Sequence, residues 1–192
     1  MNKSDFLRIY WKQFLLLEND FIDASEYVTI DKINYATFSS QFIKQYLTIC
    51  SEIDSILDEI CKVYREEEMR RNNIYAKMEI VLKNHPRMKD MLITTKYPFE
   101  GISLVPFAKF SNTDTADWWQ DYNLVKHNRS EVDEGGRYFY QRANLKNVLF
   151  AMGALFILAN VAFEDMEEVV DKQGNLIEVN IEPDSKLFKL HG

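Results

Sequence analysis

Apolar residues at spacings of three and four mark most of the chain as helical. Phe6, Ile9, Tyr10, Phe14, Leu17 and Phe21 predict an amphipathic helix from residue 5 to about 28. A stronger stripe runs through Phe42, Tyr46, Ile49, Cys50, Ile53, Leu57, Ile60, Cys61 and Tyr64, and predicts a long helix over 36–68. Glu52, Asp58, Glu59 and Lys62 fall mostly off that stripe, and Arg65-Glu66-Glu67-Glu68 reads as a solvated helix end. Ile74, Met78, Val81 and Leu82 give a shorter helix over 73–84. His85-Pro86 stops it, because the residue before proline avoids the helical region.

The texture changes over 86–111. Pro86, Pro98, Gly101 and Pro106 punctuate short apolar stretches, which predicts an irregular or extended connection lying against the helices. Asn112, Asp114 and Thr115 offer caps for a helix over 114–130 that ends near Arg129. Gly135-Gly136 then breaks the chain, and a helix is predicted from Tyr138 to Phe163. Its centre, VLFAMGALFILA (148–159), is apolar on every side. A membrane span needs about 20 such residues. This run is shorter and is flanked by Lys146 and Glu164-Asp165, so it reads as a central core helix and not a span.

The tail alternates differently. Val169-Val170, the turn residues Asp171-Lys172-Gln173-Gly174-Asn175, then Ile177, Val179 and Ile181 predict a β-hairpin. Leu187-Phe188-Lys189-Leu190 reads as a segment that docks back. The expected fold class is therefore mostly α: a bundle of about five helices over 1–166, with a small C-terminal β-hairpin extension over 167–192 packed on the same domain.

Composition narrows the function. The chain has 192 residues, 46% hydrophobic and 14% aromatic, which excludes a disordered chain. A formal net charge of −7 argues against coating duplex DNA by bulk electrostatics, while leaving room for a local basic site. Cys50 and Cys61, in one helix, would stand roughly 16 Å apart, too far for a disulfide. They read as core residues in a reducing compartment, so a cytoplasmic location is expected. The N-terminal MNKSDFLRIYWKQ has no signal-peptide pattern. No spacing suggests a metal site, a phosphate loop or a nucleophilic triad, and no cofactor is expected.

Candidate chemistry concentrates in DWWQDYNLVKHNRSE, residues 117–131. On a helix, Tyr122, Lys126 and Arg129 share one face, and Asn123 and His127 the adjacent one. Trp118, Tyr122 and Val125 would be buried. Three readings stay open. The segment is the decorated end of a packed helix; or Lys126, Arg129, Arg137, Arg142 and Lys146 bind an anion or nucleic acid, provided that folding separates them from Asp117, Asp121, Glu131, Asp133 and Glu134; or His127 carries protons.

Tyr122-Asn123-Leu124-Val125-Lys126-His127, on a late helix of an all-helical core, resembles the motif of the HEPN superfamily. These are helical proteins of bacterial toxin–antitoxin and defence systems, with nucleotide-binding members. Their ribonuclease motif is an arginine, usually a polar residue, a few variable positions and a histidine. The resemblance covers about residues 36–165. It implies binding of RNA or a nucleotide, His127 as proton carrier with Asn123 orienting, Lys126 and Arg129 holding phosphate, and Tyr122 and Trp119 as walls or stacking surfaces. It also implies a homodimer with two motif helices facing one cleft, and an acidic partner among Glu52, Asp54 and Asp58 on an earlier helix. Any chemistry would be that of a metal-independent endoribonuclease. Tyr122 stands at the arginine position, however, and tyrosine supplies neither permanent charge nor a guanidinium fork, which counts against cleavage. The alternative is a non-catalytic module of a bacterial defence or stress system that binds a cognate protein partner.

Overall fold

The computed structural model describes residues 1–64, 73–99, 101–111 and 114–191. Among them lie five helices of more than two turns and two small antiparallel sheets. Helix α1 joins Lys3–Phe6 and Lys12–Ala24 through a π-helical turn at Leu7–Trp11. It stops four residues before the predicted end. Helix α2 is Ser40–Val63 and starts where Ser39 can cap it, its hydroxyl accepting from the Phe42 N–H at 3.0 Å. The predicted charged end at 65–68 lies outside the described residues. Helix α3, Ile74–Asn84, is capped by Asn73 and ends before His85-Pro86.

Helix α4, Asp117–His127, carries the candidate segment. Its N-cap is Ala116, and no side chain caps it. The predicted caps fall too early: Asp114 binds the Thr115 N–H and the Gln120 side chain instead, and Asn112 lies outside the described residues. Helix α5, Leu145–Asp165, begins seven residues later than the Tyr138 predicted from periodicity, because Asn144 caps it through the Asn147 N–H. Phe139–Arg142 form a separate 3-10 turn before it.

Helix α5 is the centre. Almost every side chain from Leu145 to Phe163 is buried, and its largest packing partner is α2, with α1 and α4 on its other sides. It is the one described helix long and apolar enough to cross a membrane, but 83% of its apolar window is buried inside the fold. Cys50 and Cys61 are both buried in α2 and unbonded to each other, and Cys50 belongs to this core.

The connection over 86–111 is more ordered than its punctuation suggests. It contributes β1, Leu92–Thr95, and β2, Ser103–Leu104. The tail supplies the predicted hairpin, but only as β3, Val169–Val170, and β4, Leu176–Ile177; Val179 and Ile181 belong to no strand. The returning segment forms β5, Phe188–His191, which pairs antiparallel with β1. The sheet order is β2-β1-β5, with Ile93 opposite both Leu104 and Leu190. The C-terminal residues are thus woven into the sheet and are not an appended arm.

This sheet lies directly on α5 at Gly153. A Cβ added there would meet Ile93 Cδ1 at 2.6 Å, so any larger residue must displace that side-chain tip. Opposite, Glu18 of α1 is buried and holds the tail. Its carboxyl oxygens accept from the Ser185 hydroxyl, from the Lys186 N–H at 3.0 Å and from the Leu187 N–H at 3.1 Å.

Candidate functional site

Helix α4 is amphipathic in the sense predicted. Trp118, Trp119, Tyr122 and Val125 are buried, while Asn123, Lys126 and His127 are exposed. The buried face is pinned at two points. Trp118 Nε1 donates to the Pro106 carbonyl at 2.9 Å, and the Tyr46 hydroxyl of α2 donates to the Trp118 carbonyl. Aromatic contacts continue the anchoring: Trp119 and Tyr122 have ring centroids 5.0 Å apart, and Tyr46 meets Tyr122 edge-on at 6.0 Å.

The exposed face borders a hollow of about 260 Å³. Trp119, Tyr122, Asn123, Lys126 and His127 line one side, Asp54 of α2 another, and Asn73 and Ile74 at the start of α3 close it. Five of the six residues predicted for the site therefore meet. Arg129 does not line the hollow. The helix ends at His127, two residues before Arg129, and the chain turns away with the Arg129 carbonyl accepting from the Tyr140 N–H at 3.2 Å. The face shared by Tyr122, Lys126 and Arg129 required a longer helix.

Each lining group has a definable state. Lys126 lies over the Tyr122 ring, its ammonium 5.5 Å from the centroid. Burial pushes the Tyr122 phenol above its ordinary value, and Cys50 adds to this while Lys126 opposes it. Tyr122 is thus a neutral wall with no charge to offer. Asn123 donates its side-chain amide to the Trp119 carbonyl at 3.2 Å, one turn back. The His127 imidazole is exposed and makes no hydrogen bond among the described residues.

Of the three acidic candidates, Asp54 alone lines the hollow. A residue that the periodicity passed over holds it there. Lys77 of α3 is only 3% exposed, and its ammonium lies 2.7 Å from Asp54 Oδ1 and 3.0 Å from Asp58 Oδ1. Burial opposes the charge of Lys77, but hydrogen bonds and attraction to the two carboxylates outweigh it, and its pKa is raised. Lys77 sits with Ile74, Met78 and Val81 on the apolar stripe of α3. A cation within such a stripe is the signal that could have found it.

The wider basic patch does not form. Arg142 donates to Asp121 at 2.7 Å and to Asp133 at 3.1 Å, and Arg137 lies 3.8 Å from Asp133. The Arg137 N–H, then the Gly135 N–H and the two guanidinium groups, hold the Asp133 carboxyl below the usual carboxylate range. Lys146 borders a different hollow, beside Lys109 and Asp117. Among the cations considered from the sequence, Lys126 is the one delivered to the site.

Spacing also gave no hint of a second polar cluster. Tyr64, His85 and Asp165 meet where α2, α3 and α5 end. The Tyr64 hydroxyl donates to Asp165 Oδ1 at 2.9 Å, and His85 Nε2 lies 2.7 Å from Asp165 Oδ2 and 3.1 Å from the Tyr64 oxygen. These residues are 21 and 80 positions apart, so only the fold unites them. Among the described residues no three His, Cys, Asp or Glu side chains gather as a metal site requires.

Compared with protein-family models, curated proteins and solved structures, the chain matches none.

Proposed function

We propose that this is a cytoplasmic, HEPN-like bacterial protein that binds RNA or a nucleotide in the hollow beside α4. The observation that carries the reading is the rim where Lys126 and His127 stand side by side, solvent-reachable, above the aromatic wall of Tyr122 and Trp119. Such a rim suits a phosphate bound next to a flat base: the ammonium neutralises the anion, imidazole and Asn123 supply polar contacts, and the narrow exposed edges of Trp119 and Tyr122 border the ring. Local potential governs capture, so the overall acidic charge is no obstacle.

Binding is favoured over cleavage. A neutral, buried Tyr122 cannot stabilise charge on a scissile phosphate, and Arg129 is not in position to replace it. If chemistry occurs, His127 is the proton carrier. The resemblance further suggests a homodimer that places two such rims across one cleft, and a role in a toxin–antitoxin or defence system. The test is incubation with mixed single-stranded RNA. Binding that weakens steeply with salt, and falls in Lys126→Ala, supports the reading. Cleavage abolished by His127→Ala would add enzyme activity. No binding at low salt removes the proposal.

A second reading keeps one observation of its own. The β3–β4 hairpin exposes Val170, Leu176 and Ile177, with Leu176 73% exposed. Apolar residues displayed on a short hairpin suit a cognate protein partner. Loss of partner binding in Leu176→Ser, with RNA binding absent, would favour the interaction module.

A further inference from the structure

The ion cluster beneath the hollow has no evident use in binding phosphate. Lys77 is almost completely buried, yet both of its partners reach solvent: the Asp54 side chain is 50% exposed and that of Asp58 39%. Burying an ammonium is costly unless it is paired. Here the pairing also fixes the orientation of a carboxylate on the wall of a site otherwise suited to anions. A carboxylate facing a phosphate would repel it. Facing a nucleobase, it is a strong acceptor.

We infer that Asp54, positioned by Lys77, reads the hydrogen-bonding edge of a bound base and makes the hollow selective for guanine nucleotides. This rests on the reading that the hollow takes RNA or a nucleotide, and names the base. The argument is one of donors and acceptors. An ionised carboxylate only accepts. Guanine offers two adjacent donors on its pairing edge, the ring N1–H and the exocyclic amine, and so can engage both carboxylate oxygens. Adenine and cytosine each place one amine beside a bare ring nitrogen, whose lone pair would face the second oxygen. Uracil places its single N–H between two carbonyls. Lys77 occupies Asp54 Oδ1 from below, but a carboxylate oxygen carries two lone pairs, and among the described residues Oδ2 has no partner.

The remaining groups fall into place around such a base. Trp119 and Tyr122 provide the aromatic wall, and Lys126 with His127 the rim on which a phosphate lands. The volume of about 260 Å³ has room for a base and leaves the sugar and phosphate at the open rim. Lys77 is a positioning residue: it touches Asp54 and not the ligand.

The experiment is titration of the full chain with the 5′-monophosphates of guanosine, adenosine, cytidine and uridine, followed by calorimetry and tryptophan fluorescence at low salt. The guanine nucleotide should bind about tenfold or more tighter than the others, in keeping with a good bidentate contact. Asp54→Asn should remove that preference and raise the affinity for the adenine nucleotide, because an amide accepts from the adenine amine and donates to its ring nitrogen. Asp54 is half-exposed, so this variant keeps the core intact. Lys77→Gln should also collapse the ratio between guanine and adenine nucleotides; circular dichroism establishes that it is folded, and Asp58→Asn, one turn further along α2, should leave the ratio unchanged. Equal binding of all four nucleotides overturns the guanine assignment and leaves the wider reading standing. So does a guanine preference that survives Asp54→Asn. Absence of binding by every nucleotide and by mixed RNA overturns both.

Discussion

Replacing Glu18 by alanine tests the clamp on the C-terminal strand. Three donors converge on this carboxyl, from Ser185, Lys186 and Leu187. Their losses are unequal. Lys186 is exposed, so its N–H can turn to water. Ser185 and Leu187 are 2% and 0% exposed, so the Leu187 N–H and the Ser185 hydroxyl would be left in a dry interior. A buried donor without an acceptor costs about 1–3 kcal/mol. Two of them, offset in part because a buried carboxyl no longer has to be desolvated, give a net loss of about 3 kcal/mol. For a chain of this size each kcal/mol moves the midpoint by about 2–4 °C, so Tm should fall by about 6–12 °C. Glu18→Gln keeps the shape but turns an N–H2 group towards a donor, and should lose about half as much. Thermal unfolding by circular dichroism measures the total, and hydrogen exchange at Leu187, Phe188 and Leu190 shows where it arises. A Tm within 2 °C of the parent for the alanine variant, with unchanged exchange at those amides, would refute the argument that Glu18 secures the strand.

Gly153→Val should cost more than Gly153→Ala. The first methyl already meets Ile93 Cδ1 at 2.6 Å and must push that side-chain tip aside, with Leu104 and Pro106 already at 3.4 Å so that further carbons have little room; about 1 and 2–3 kcal/mol are expected in urea unfolding. Removing the Asn144 cap in Asn144→Ala should cost about 1 kcal/mol in the same assay, because the Asn147 N–H loses its acceptor. Alkaline titration followed by phenolate absorbance should show a late component, with Tyr10 and Tyr64 in it beside the buried Tyr46. Burial and then Glu59 push Tyr10 to about 12, and burial and then Asp165 push Tyr64 to about 12. Both pKa values are raised, so the stability these tyrosines contribute is fully present below the unfolded value near 10 and is lost as pH rises from there through about 12. A single phenolate transition centred near pH 10, with no late component, would contradict this.

Periodicity made the bundle legible because each helix buries one stripe. Phe42 through Cys61 and Phe6 through Phe21 declare their inward faces directly, and the all-round apolar run at 148–159 declares a helix with neighbours on every side. Helix ends were harder. Tyr138 and Phe139 continue the apolar pattern before Leu145, and only the side-chain bond of Asn144 decides where α5 starts. The sheet was hidden for another reason. Strands β1 and β5 are four residues each, and their pairing joins positions almost a hundred residues apart, so no local pattern announces it. At the hollow, α4 was readable as an amphipathic helix, and that placed Trp119, Tyr122, Asn123, Lys126 and His127 together. Arg129 failed because the helix stops two residues short of it. Lys77 and the Tyr64–His85–Asp165 cluster depend on which helix ends meet, and that is a property of packing.

The pairing of β5 with β1 also orders events during synthesis. Ile93 and Leu104 can find each other early, but Phe188 and the segment gripped by Glu18 are made more than eighty positions after Leu104. Until residues 186–191 leave the ribosome, the nascent chain carries an open strand edge and an uncovered patch of α5. For that interval the unpaired edge of β1 is open to pairing with a strand of another chain.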